Sequence, residues 1–236
     1  MLKVSDLTVR AGGRIILDRV SFTLEEGLVY VLLGENGSGK STLMRALTSG
    51  IAGYSGSICW NGCELSGMSG KQREAFHSLL PQNPPAVAVS VTSLLSLYDG
   101  GPGELDRLGL ASLAEMRVSA LSGGERQLVY LVLMLSQKAQ LCCLDEAQSS
   151  LDARHRRIVD KEIRALADSG RMVLASFHDI AHGLELADRI LVLSGGKLVF
   201  SGTADLFISQ EIPQKFFSLE PVHFIDGEGR DHLAFI

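Results

Sequence analysis

At 236 residues, with 46% hydrophobic and 21% charged side chains, the chain suits one large α/β domain, or a core with a smaller inserted subdomain, and is too apolar for disorder. The formal net charge of −5 excludes a protein that wraps nucleic acid, because neutralising phosphates needs clustered Lys and Arg. Basic residues are scattered except for Arg154 to Arg157, which Asp152 and Asp160 offset and which reads as a solvated helix face.

The four cysteines, Cys59, Cys63, Cys142 and Cys143, form neither a Cys-x-x-Cys pair nor a zinc spacing, so a reduced cytosolic setting is expected. Met1 to Arg10 lacks the basic start and apolar core of a signal peptide. No uninterrupted apolar stretch approaches the roughly 18 residues of a membrane helix, so any membrane association is expected to run through a partner.

Along the chain, Leu2 to Val9 and Ile15 to Leu24 alternate and are separated by Gly12-Gly13, a hairpin signal. Leu28 to Leu33 is a continuous apolar run, the pattern of a strand buried on both faces of a parallel sheet, and a helix is predicted over Lys40 to Thr48. Ser57 to Trp60 and Cys63 to Leu65 flank Asn61-Gly62, a pair suited to a type I′ turn. From Pro84-Pro85 to Gln140 the pattern turns helical, interrupted at Asp99 to Gly103. Strands return at Leu141 to Leu144, Met172 to Phe177 and Arg189 to Leu193, each beside a helical segment, which is the α/β alternation. Pro221 to Ile236 has apolar ends around Asp226 to Arg230 and reads as a terminal hairpin.

Between the apolar run and the helix lies Gly34-Glu35-Asn36-Gly37-Ser38-Gly39-Lys40-Ser41-Thr42, a match to G-x-x-x-x-G-K-[ST] with strand before and helix after. Gly34, Gly37 and Gly39 let successive N–H groups approach phosphate oxygens, and the positive helix end adds attraction. Lys40 supplies a mobile charge for the β- and γ-phosphates, and the Ser41 hydroxyl a magnesium ligand. By itself this predicts only a bound nucleoside triphosphate, as in kinases and GTPases.

Leu141 to Leu144 ends in Asp145-Glu146, two acids at the carboxyl end of a buried strand, where open α/β sheets bind ligands. Alone they would mark a strand end. Downstream of a phosphate loop, Asp145 is a candidate magnesium ligand and Glu146 a candidate general base for an attacking water.

Leu121-Ser122-Gly123-Gly124-Glu125-Arg126-Gln127 reads as a helix start with the capping-box spacing of Ser122 and Glu125. Two glycines in the first turn each lower helix propensity by roughly 1 kcal/mol. A purely structural cap would not favour them, and exposed N–H groups at Gly123 and Gly124 suit an anion.

A phosphate loop, then Leu-Ser-Gly-Gly-Glu-Arg-Gln, then Leu-Asp-Glu, in that order, resembles the ABC ATPase family over nearly the whole chain. The resemblance implies an α/β fold: a P-loop NTPase core with a mostly parallel sheet, an N-terminal antiparallel β-subdomain and an inserted α-helical subdomain. Residues 1–82 and 141–220 would form the nucleotide-binding core with the β-subdomain, 83–140 the helical subdomain, and 221–236 a β-like tail. It also implies that Gln82 contacts magnesium and water and relays nucleotide state to a membrane partner, that Ser149-Ser150-Leu151-Asp152 crosses a dimer interface, and that His178 contacts the γ-phosphate. His182 has no such counterpart and reads as structural.

The family's sites form between two head-to-tail cassettes, so a homodimer or paired cassette with ATP and Mg2+ is implied, Ser122-Gly123-Gly124 of one copy facing the phosphate loop of the other. The expected function is ATP hydrolysis coupled to transport through membrane permease subunits, with a substrate-binding protein in the full system, on the inner face of the cell membrane. The compact helical segment and the tail resemble importers for cobalamin, haem and iron siderophores. The alternative is a soluble ATPase acting on a protein scaffold, as in iron–sulfur cluster assembly.

Two departures stand out. No aromatic occupies Arg10 or Ala11, where the family stacks adenine, which leaves the guanidinium of Arg10 or Arg14 as substitutes. Ala147-Gln148 follows Glu146 where Pro-Thr is usual, which bears on backbone rigidity beside Glu146.

Overall fold

The structure is a computed structural model describing residues 1–48, 53–98, 100–148, 151–225 and 231–236. Ser149, Ser150, Asp99 and Asp226 to Arg230, discussed above, lie outside the described residues. Strands β1 (Leu2–Ala11) and β2 (Arg14–Leu24) pair antiparallel about Gly12-Gly13, whose φ angles of 54° and 77° suit a two-residue hairpin turn. Strand β3 (Val29–Leu33) is buried along its whole length and leads through residues 34–39 into α1 (Lys40–Thr48). Strands β4 (Tyr54–Trp60) and β5 (Cys63–Glu64) form the second hairpin, with Asn61 and Gly62 both at positive φ.

Next come α2 (Gly70–Phe76) and β6 (His77–Leu80), neither of which the sequence patterns singled out. The stretch read as helical from Pro84 is only partly so. Residues 84–89 carry no regular structure, α3 (Val91–Leu95) and α4 (Pro102–Arg107) are short, and only α5 (Gly123–Ser136) is long. Pro84-Pro85 and Gly100 to Gly103 limit helix length here, since proline removes a donor and glycine carries a large entropy loss.

The remaining elements are β7 (Leu141–Leu144), α6 (Ala153–Asp168), β8 (Met172–Ser176), α7 (Ile180–Leu186), β9 (Arg189–Ser194), β10 (Lys197–Gly202), α8 (Ala204–Ser209), α9 (Ile212–Phe217), β11 (Pro221–Ile225) and β12 (Asp231–Phe235). Strand β8 ends one residue before the expected Phe177, and β11 pairs with β12 as the terminal hairpin.

The main sheet has the order β10-β9-β3-β8-β7-β6, with every pairing parallel except β9 with β10 at the edge. A second sheet, β2-β1-β4-β5, is antiparallel. Because strand side chains alternate faces, β3 splits between two cores. Tyr30 and Leu32 join Leu2, Val4, Leu17 and Leu43 beneath the antiparallel sheet and α1, whereas Val29, Val31 and Leu33 join the helices, including Leu128, Val132 and Leu166. The helical stretch therefore shares one continuous apolar cluster with the sheet.

Cys142 and Cys143 are fully buried on β7, where burial raises both thiols above their ordinary pKa, and all four cysteines are free. Such thiols act as small hydrophobes, not nucleophiles. Among the described residues no helix is long and apolar enough to cross a membrane.

Candidate nucleotide-binding and hydrolysis site

The site gathers at the carboxyl ends of β3, β7 and β8, neighbours in the main sheet. After β3 the chain turns inside a narrow space between β2 and the β9–β10 turn. A Cβ on Gly34, whose φ is 153°, would lie 2.4 Å from the Leu193 carbonyl oxygen and 2.6 Å from Ser38 Oγ, so only glycine fits. The Gly196 N–H donates to the Ser38 carbonyl at 3.2 Å and buttresses the loop from the other side.

Glu35, Asn36 and Gly37 stay exposed at the rim, and a Cβ on Gly37 would meet nothing within 4 Å. The loop is thus tight where it packs and open where a ligand would approach. Ser38 Oγ is buried without a hydrogen-bond partner, an orphan that a bound polar group would satisfy.

Lys40 begins α1 with its side chain only 8% exposed. Its Nζ donates to the Gly34 carbonyl at 2.7 Å and to the Glu35 carbonyl at 3.3 Å, curling over the loop. Glu146 Oε1 lies 4.0 Å from the same Nζ. The Gln82 amide donates to the other Glu146 oxygen at 2.6 Å, although 64 residues separate the two in sequence. Residues 35–42, Gln82, Glu146 and Ile16 line one recess of about 400 Å³.

Glu146 sits in the left-handed region at φ 47°, a conformation costing a non-glycine residue on the order of 1–3 kcal/mol. Neighbours hold it there. Its N–H donates to Ser176 Oγ at 2.9 Å, and Ser176 donates in turn to Asp145 Oδ1 at 3.0 Å. Asp145 is buried, and its own N–H donates to the Leu80 carbonyl at 2.9 Å, fixing the end of β7 against β6.

Ser41, Gln82 and Asp145 offer hydroxyl, amide and carboxylate oxygens, the hard donors that magnesium takes together with water and phosphate. They fit that ion, although Asp145 does not itself line the recess. No cluster of three His, Cys, Asp or Glu suited to a metal occurs among the described residues, so hydroxyl, amide and phosphate oxygens would complete the shell.

His178 follows β8 and is exposed. It lines a second recess of about 460 Å³ with Gly34, Lys40, Glu146, Phe217 and Leu219. Periodicity gave no sign of Ile16, Ser176, Phe217 or Leu219 at this site, because each arrives through pairing or packing distant in sequence. Arg10 and Arg14 are exposed on the β1–β2 hairpin, and neither lines the recess that Ile16 does.

Ser122-Gly123-Gly124 opens α5 as the spacing predicts. Ser122 Oγ accepts from the Glu125 N–H at 3.3 Å, the Ser122 N–H donates to Glu125 Oε2 at 2.9 Å, and the Ser122 hydroxyl donates to the same oxygen at 2.7 Å. These bonds pull the Glu125 carboxyl below its ordinary pKa. A Cβ on Gly123 would meet nothing within 4 Å, so packing inside the molecule does not demand glycine there.

The recess beside Ser122, about 590 Å³, is lined by Gly123, Gly124, Leu151, Asp152 and His155 among others and shares no residue with either recess at the phosphate loop. Structure therefore brings Lys40, Gln82, Glu146 and His178 together and leaves Ser122 to Gly124 apart from them.

The chain matches the ABC transporter family over residues 17–149. It is 32% identical to the hemin import ATP-binding protein HmuV of Agrobacterium fabrum over 93% of this chain and 92% of that protein. It is 28% identical to the iron(3+)-hydroxamate import ATP-binding protein FhuC of Bacillus subtilis over 93% and 88%. Among solved structures, an ATP-binding subunit of an ABC transporter superposes with a TM-score of 0.82 at 23% identity, covering 89% of this chain and 93% of that one. A bacterial Atm1-family ABC exporter with ATP bound gives 0.81 at 23% identity, covering 92% of this chain and 41% of that one. At that identity the structures establish the fold.

Proposed function

Because the chain belongs to the ABC transporter family of ATP-hydrolysing transport subunits, we propose that it drives an importer whose ATP sites form only between two copies of the cassette. One observation carries this reading: Glu146 and Lys40 meet at one recess while Ser122, Gly123 and Gly124 line another that shares no residue with it. Each copy then holds two half-sites, and a twofold arrangement completes both.

In this reading the loop N–H groups and Lys40 bind the phosphates of ATP. Glu146, held by Gln82 and by the Ser176 hydroxyl, orients the attacking water and accepts its proton. His178 approaches the γ-phosphate from the end of β8. Ser41, Gln82 and Asp145 would hold magnesium, which would supply charge neutralisation for the phosphates.

The partner copy's Ser122 hydroxyl turns from Glu125 to the γ-phosphate as the two copies close. A donor of this kind, aimed where charge develops, is worth about a hundredfold in rate when removed. In mixed dimers, Ser122→Ala in one copy is expected to slow hydrolysis by that factor at the site whose phosphate loop belongs to the other copy. Phosphate release from dimers carrying Lys40→Ala in a chosen copy reads this out, and a defect confined to the mutated chain's own loop would contradict it.

Gln82, exposed at the rim and bonded to Glu146, is the link between nucleotide state and a membrane permease. The names of the relatives, hemin and iron(3+)-hydroxamate import proteins, support haem or a metal chelate as cargo, delivered by a substrate-binding protein. The chain would then sit on the inner face of the cell membrane through its permease. Affinity purification of the full chain from membranes tests this. Recovery with permease subunits is the expected result, and a complex with soluble scaffold proteins alone would overturn it.

A further inference from the structure

Behind Glu146 lies a cavity of about 240 Å³ lined by Gln148, Arg156, Phe177, His178 and His182 among others. Bonded to two of these side chains, Asp160 on α6 receives two separate segments. The Gln148 amide donates to Asp160 Oδ1 at 2.7 Å, and His182 Nε2 lies 3.1 Å from both carboxylate oxygens. Gln148 stands two residues past Glu146 and His182 four past His178, so a single carboxylate ties the chain leaving one to the helix following the other.

The tie has reason to matter. Glu146 holds a left-handed backbone, and the next residue, Ala147, offers only a methyl group to anchor it. Gln148 is 8% exposed and is the first long side chain after Glu146 with an internal partner. On the other side, the Asp179 carboxylate caps α7 by accepting the His182 N–H at 3.2 Å, and the His182 ring stacks edge-on against Phe177 with centroids 5.3 Å apart. Asp160 bonding, outweighing partial burial, raises the His182 pKa, with Asp179 and Glu185 adding to the pull. The pairing is therefore strengthened by charge on the ring.

We propose that Asp160 and His182 are positioning residues for ATP hydrolysis, setting Glu146 through Gln148 and His178 through the start of α7. This rests on the roles given above to Glu146 and His178. Misplacement of a catalytic group by a fraction of an ångström lowers turnover without weakening phosphate binding, since the phosphate loop has its own supports.

The test is steady-state ATP hydrolysis by the full chain carrying Asp160→Leu, His182→Leu or His182→Gln, with thermal unfolding of each. Both leucine variants are expected to lower kcat about tenfold with KM for ATP changed less than about twofold. His182→Gln, whose amide still reaches Asp160, restores most of the rate. If Asp160→Leu fails to fold, the His182 pair decides alone. Wild-type kcat in folded His182→Leu, or a rate loss that His182→Gln does not restore, would overturn the inference. Glu146→Gln run alongside separates the two levels: near-normal turnover there removes the role of Glu146 itself, and with it the premise.

Discussion

Glu146→Gln is expected to keep ATP binding, to lower hydrolysis by at least about a hundredfold and to trap the closed pair of cassettes. The carboxylate, held between Lys40 and Gln82, is placed to accept a proton from water, and the amide that replaces it is nearly the same size. Its bond to Gln82 survives by rotation of the amide, so the loop keeps its shape. Removing a negative charge from beside the phosphates leaves Lys40 with one fewer competitor, 4.0 Å away, and favours the nucleotide-bound state. Phosphate release and size-exclusion chromatography in ATP measure both effects. Turnover close to that of the unaltered chain would remove Glu146 from the role of general base.

Lys40→Ala is expected to abolish both binding and hydrolysis. Charge-assisted hydrogen bonds contribute about 1.5–3 kcal/mol each, so losing the ammonium from the phosphates weakens ATP affinity by at least about tenfold. A second loss compounds it. The same Nζ staples the Gly34 and Glu35 carbonyls, and without it the loop forfeits that internal support while Glu146, 11% exposed, loses its nearby cation. Fluorescent nucleotide titration, with thermal unfolding to verify that the variant is folded, gives the answer. Undiminished ATP affinity in a folded variant would refute the assignment.

Much of the candidate site is legible in the sequence. Leu28 to Leu33 reads as a buried strand because it is apolar at every position and runs straight into a glycine-rich loop, and β3 occupies Val29–Leu33. The residues after it match a phosphate-binding loop, because three glycines, a lysine and a hydroxyl follow a buried strand and open a helix. The pairing of Ser122 with Glu125 followed from helix periodicity alone, and the structure adds that Gly123 has open space around it.

Other features had no local signal. His77 to Leu80 is a four-residue strand that exists through its parallel register with Leu141 to Leu144. Short apolar runs of that length are ambiguous between strand and helix. His182 reads by itself as an ordinary helix residue, and only the meeting of α6, α7 and the chain past Glu146 gives it Asp160 as a partner.

The sequence by itself determined the two N-terminal hairpins, the main-sheet strands β3, β7, β8 and β9 and the start of α5, and it pointed to a phosphate cradle and two acids, since these rest on side-chain periodicity and on spacings of a few residues that act within one turn of chain. Only the tertiary structure decided that Gln82 holds Glu146, that Ser176 supports the strained backbone beneath it, and that Ser122 lies apart from Lys40. Those relations span tens of residues, and they are set by which strands lie side by side in the sheet.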